Sequence, residues 1–119
     1  MIDPLFLLIL GHFFGDFAFQ TDTMAAKKHL SLGILTLHVA IYTVTIGFFL
    51  WLAMLLANRQ DFASLSLLGL LAIVFVTHWL QDYVKPRHFN GSRQGFYFDQ
   101  ALHLSLLFVV RLIVFPGQA

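Results

Sequence analysis

Each of the four long apolar stretches in this chain carries a histidine, and three of them pair it with an aspartate four residues away. The pairs are His12-x3-Asp16, His78-x3-Asp82 and Asp99-x3-His103, while His38 stands by itself in the second stretch. On an α-helix residues i and i+4 share a face, so Gln20 extends the first pair into a polar stripe of His12, Asp16 and Gln20. The residues around these groups are Leu, Ile, Val and Phe. A bare aspartate at the middle of a membrane helix costs on the order of 2.5–3.5 kcal/mol. Three of them would consume much of the stability of a small fold, so any fold of this chain must give each a partner.

Composition says which kind of fold is open to it. The chain is 59% hydrophobic and only 11% charged, against about 25% charged residues in a soluble domain. It lacks the polar surface to dissolve alone and reads as an integral membrane protein, with the lipid bilayer as its first partner. The net charge of +1 gives no reason to expect nucleic acid. Cysteine is absent, which removes disulfides and thiolate metal sites, and every acidic side chain is aspartate. Any metal must be held by imidazole and carboxylate. The amino terminus has no basic residue before its apolar run and no small-x-small site after it, so the first helix is expected to be retained rather than cleaved.

In chain order, Asp3-Pro4 is a good helix opening, a capping side chain followed by proline at the first helical position. The expected architecture is all-α: one transmembrane domain over residues 1–119, a polytopic antiparallel four-transmembrane-helix bundle with helices at about 4–20, 32–57, 62–85 and 97–115. Ser31 is positioned to cap the second helix and Asp61 the third, Pro86 to stop the third, and Asn90-Gly91 to turn the longest connection. Gly11, Gly15 and Gly47 permit close helix approach. Basic residues concentrate in the first and third connections, with Lys27, Lys28, Arg87 and Arg93, and Lys85 stands at the edge of the third helix. That bias puts those connections on the cytoplasmic side of the membrane and points both termini outward. Arg111 is expected to snorkel to the outer interface, and His29 and His88 to be solvated.

Depth ties the polar groups together. At about 1.5 Å of rise per residue, His12, Asp16, His38, His78, Asp82, Asp99 and His103 all fall roughly 3–12 Å inside the cytoplasmic ends of their helices. Seven groups from four helices at one level read as the ligand set of a metal site in a bundle interior. Four imidazoles and three carboxylates suit zinc first, and also iron or manganese, better than calcium or magnesium. Seven exceed one tetrahedral ion, so either two ions are bound or one ion takes three or four of them. Such an ion can activate water and polarise a phosphoryl or carbonyl group. The expected function is metal-dependent hydrolysis or group transfer near the cytoplasmic face, on a lipid-linked or small phosphorylated substrate. Asp16, Asp82 and Asp99 are the candidate catalytic carboxylates, and Lys85, Gln20 and Gln100 the candidate substrate-binding groups. Two rivals stay open: a proton or cation relay in transport, and a non-catalytic membrane partner protein whose polar cluster sets helix register. So short a bundle also leaves room for a homodimer.

Taken together, Gly11-His12-x2-Gly15-Asp16-Phe17-x2-Gln20, Met24-Ala25-x-Lys27, His38, His78-x3-Asp82-x2-Lys85 and Asp99-Gln100-x2-His103 resemble an uncharacterised family of small bacterial membrane proteins, domain of unknown function 3307. The resemblance spans almost the whole chain. Thr23 stands where an aromatic is expected in that family. The resemblance implies a polytopic inner-membrane location and supplies no reaction.

Overall fold

The computed structural model describes residues 2–59, 64–88 and 91–117. The regular structure among those residues is all helical, with α1 at Pro4–Phe13, a π-helical turn at Phe14–Ala18, a short α2 at Asp22–Lys27, α3 at Leu32–Leu56, α4 at Ser64–His88 and α5 at Arg93–Val114. The described residues contain no strand. The helices α3, α4 (over Ser64–Lys85) and α5 are long and apolar enough to cross a membrane, while the first apolar helical segment, Pro4–Ala18, is shorter.

Capping chemistry sets most of the ends. The Asp3 carboxylate accepts from the Leu5 N–H with proline in the first turn, and Ser31 accepts from the Ile34 N–H to start α3. Thr21 accepts from the Met24 N–H and so opens α2, a helix in what reads from sequence as a polar connection. Ser92 accepts from the Gly95 N–H, which starts α5 at Arg93 instead of Tyr97. At the other end of that connection α4 runs on to His88, so Pro86 falls inside its last turn instead of stopping it. The cap expected from Asp61 lies outside the described residues. The largest departure is in the first helix. It does not continue to Gln20 as a regular α-helix; the Phe19 N–H reaches back five residues to the Phe14 carbonyl at 2.8 Å.

The long helices close into a ring in the order α1, α3, α4, α5 and back to α1, with α2 laid against α3. Two glycines make the α1–α3 contact possible. A Cβ on Gly15 would lie 2.9 Å from the Tyr42 ring and 3.2 Å from its Cα, and one on Gly11 would lie 3.1 Å from Phe49. One half of the ring is filled by Leu8, Ile46, Leu50, Val74, Leu107, Val110 and Phe115. Arg111 also lies at that end, its side chain buried and its Nε 3.7 Å from Oδ1 of the exposed Asp3 carboxylate. The other half is polar.

Candidate metal centre

Buried polar side chains from α1, its π turn, α3, α4 and α5 fill that second half. His12, Asp16, His38, His78, Asp82, Asp99 and His103 are each at most 4% exposed. The i, i+4 spacing delivers four of them as adjacent pairs: His78 above Asp82 on α4, and Asp99 below His103 on α5. His38 enters from the start of α3. Asp16 comes from the π turn, where the extra residue rotates the downstream backbone by about 100° relative to a continuous α-helix.

Asp16, His38, His78 and Asp82 form one group, with a donor atom from each within 4.8 Å of all the others. His38 Nε2 lies 3.1 Å from Asp16 Oδ1 and 3.2 Å from Asp82 Oδ2. His78 Nε2 lies 3.2 Å from His38 Nε2, 3.7 Å from Asp16 Oδ1 and 3.6 Å from Asp82 Oδ2. Four ligands on a tetrahedral zinc with bonds of 2.0–2.1 Å sit about 3.3 Å apart. The five distances bracket that value, and the sixth, between Asp16 and Asp82, is within 4.8 Å, so these donors could hold an ion. In both imidazoles the nitrogen turned to the group is Nε2, while the opposite Nδ1 is buried without a partner.

Asp82, Asp99 and His103 make a second group of three within the same limit, so Asp82 belongs to both. The His103 ring is oriented by its own helix, its Nδ1–H donating to the Asp99 carbonyl at 2.7 Å.

His12 joins neither group, and the hydrogen bonds around it say why. The Asp99 carboxylate can only accept, so the Gln100 amide turns its NH2 toward Asp99 Oδ2 at 3.3 Å. Gln100 Oε1 therefore faces His12 Nε2, which donates at 2.8 Å. The remaining ring nitrogen, Nδ1, then accepts from the Tyr42 hydroxyl at 3.1 Å. Both nitrogens of His12 are occupied, and the ring links Gln100 to Tyr42, whose own ring stacks on His78 at 3.8 Å. Tyr42 lies four residues after His38, so the spacing that marks the other pairs also marks this one.

Two lysines face the carboxylates. Lys28, just past α2, donates to Asp82 Oδ2 at 2.7 Å and stands 3.4 Å from His38 Nε2. Lys85 donates to Asp99 Oδ2 at 3.0 Å. Lys28 reads in the sequence as a basic residue of the loop, yet its side chain is only 11% exposed. The visible signal was Met24, four residues earlier on α2 and buried beneath it. Both ammoniums, with Asp16, Asp82, Gln20 and Gln100, line a cavity of about 220 Å³ to which Phe17 and Phe96 add apolar surface. The three residues expected to meet substrate, Lys85, Gln20 and Gln100, therefore share one cavity with two metal-ligand candidates. Gln20 Oε1 is buried without a partner. Lys27 is exposed.

This chain belongs to the family described as "Protein of unknown function (DUF3307)", whose model matches residues 4–119. No curated protein and no solved structure matches it.

Proposed function

We propose that the chain is a membrane-embedded metalloprotein whose helices α1, α3, α4 and α5 act as its four spans, and that it hydrolyses or transfers a phosphorylated group at the cytoplasmic headgroup level. The carrying observation is the group of Asp16, His38, His78 and Asp82, whose donor atoms are spaced 3.1–3.7 Å over five of their six separations. Borderline nitrogen and hard oxygen donors in equal number suit zinc, with iron or manganese as alternatives. An ion held there supplies Lewis acidity to a phosphoryl oxygen and lowers the pKa of water.

The chain's own residues do the rest. Lys28 and Lys85 present two positive charges to the cavity, the requirement for holding a phosphate beside Asp16 and Asp82. Gln20 brings an amide whose oxygen needs a donor, which a substrate hydroxyl or water provides. Phe17 and Phe96 line the same cavity with apolar surface suited to an acyl or prenyl chain. Because Lys28 stands among the donor atoms, it must move into the cavity as an ion enters, and there it meets the anion. The basic residues flanking this end favour the cytoplasmic side for it, with both termini outward. Conduction of ions is disfavoured because the other half of the ring is closed by aliphatic side chains.

Elemental analysis of protein purified in detergent without chelator is expected to find transition metal bound to every chain. His38→Ala and Asp16→Asn are each expected to reduce it sharply. A metal-free wild type that also fails to take up added zinc, iron or manganese overturns the reading.

A further inference from the structure

Asp82 presents its two oxygens in two directions, and only one of them is used. Oδ2 sits in the four-donor group and accepts from Lys28. Oδ1 is buried and has no hydrogen-bond partner, and the same is true of His103 Nε2, which lies 3.9 Å away. The state of that nitrogen is set by the other side of its ring. His103 Nδ1 faces a backbone carbonyl at 2.7 Å and must carry the proton, so in the neutral ring Nε2 has a bare lone pair. A lone pair and a carboxylate oxygen therefore point at one another across a buried gap, two acceptors with nothing to accept. Lys85 approaches the same oxygen but stops at 3.9 Å, beyond hydrogen-bond distance. Leaving both atoms so is costly in a region of low dielectric. The gap is within the about 4.2 Å that two metal–ligand bonds of 2.1 Å can span end to end. Asp99 completes the group from the helix that carries His103.

We infer that the chain holds a second divalent cation, bound by Asp82, Asp99 and His103, with the Asp82 carboxylate bridging it to the ion of the four-donor group. The inference rests on the metal reading proposed for that group and deepens it. A single carboxylate bridging two ions sets them at the separation of about 3.5–4 Å used by two-metal phosphoryl-transfer sites. Charge then selects the ligand. Asp16, Asp82 and Asp99 against Lys28 and Lys85 leave one negative charge, which two divalent ions convert to three positive charges. Between apolar helices that excess demands an anion carrying at least two charges, such as a phosphate monoester, in the cavity that both lysines line.

The test is a manganese(II) titration of the full chain in detergent, stripped of metal beforehand and run with and without inorganic phosphate. Ion stoichiometry and the electron paramagnetic resonance spectrum are read together. Wild type is expected to take up two ions with phosphate present and to show a spin-coupled pair, and phosphate is expected to tighten the second ion. His103→Gln and Asp99→Asn, each checked for wild-type helix content and elution volume, should bind one ion with an uncoupled spectrum. One ion per wild-type chain under both conditions overturns the second site, as does a His103→Gln variant that still binds a coupled pair; a water donating to both Asp82 Oδ1 and His103 Nε2 is then the occupant of the gap. No uptake by wild type overturns the metal reading itself.

Discussion

The same four helices build two unlike halves. Toward the end that holds Phe115 the ring is closed by the packing of Leu8, Ile46, Leu50, Val74 and Leu107, with the Arg111–Asp3 pair as an ionic contact at that end. Toward the other end every helix turns a histidine or aspartate inward, and the contacts are directional, charged and few in number of solutions. An apolar filling tolerates exchange of one aliphatic residue for another of similar volume. A cluster of carboxylates and imidazoles does not, because removing one member leaves its neighbours' charge or lone pair buried and unmatched. The aliphatic half therefore serves as a clamp that holds the helices in register, and the polar half is where that register is put to use.

The sharpest way to break the contrast is Asp82→Asn. Asp82 meets Lys28, His38, His78 and His103, and its loss should weaken metal binding by more than the roughly 10- to 100-fold typical of an outer hydrogen-bond partner. Isothermal titration of stripped protein with zinc checks it. In the other half, Leu50→Ala should lower stability by about 2 kcal/mol or more, the cost of a cavity at a buried leucine. It should leave zinc affinity unchanged, and thermal unfolding in detergent beside the same titration separates the two effects. Gly15→Ala tests the junction. Its methyl meets the Tyr42 ring and backbone, so about 1–3 kcal/mol of overpacking should come with a measurable loss of zinc affinity, since Asp16 is the next residue. The smallest effect should come from Lys28→Met, and its sign is opposite. Removing the ammonium that occupies Asp82 Oδ2 should tighten zinc by about tenfold, the scale of one charged hydrogen bond. An unchanged or weaker affinity would show that Lys28 is no competitor for the ion.

How far these halves could be read from sequence depends on which relation each residue uses. The i, i+4 rule and the helical rise are local, and they placed Asp16, His38, His78, Asp82, Asp99 and His103 at one level, where the structure puts them in contact. His12 obeys the same spacing but turns to Tyr42 and Gln100, because the π turn between it and Asp16 breaks the shared face. No proline announces that turn; what favours it is the fit of Gly15 against Tyr42, a relation between helices that spacing within one helix cannot express. Lys28 was hidden for a similar reason. Its role comes from α2 folding back on α3, and a six-residue helix capped by Thr21 is faint in a sequence dominated by long apolar runs. Arg111 has a partner that spacing within one helix cannot show, because Asp3, over a hundred positions earlier, supplies an exposed carboxylate beside it. The extra residues of α4 and α5, up to His88 and from Arg93, reflect a proline tolerated in a last turn and a serine cap at Ser92.

On the membrane-embedded reading proposed above, the brevity of the first helical segment has a consequence for where a lipid would meet this protein. Residues 4–18 rise about 22 Å at 1.5 Å per residue, against roughly 30 Å of hydrocarbon in a bilayer. A segment with that mismatch draws the adjacent leaflet inward. Phe17 stands in the last turn of this segment and lines the cavity, with Gln20 two residues beyond its end; on the function proposed above, the thinning falls beside the metal-ligand candidates and would let a headgroup approach them from within its own monolayer.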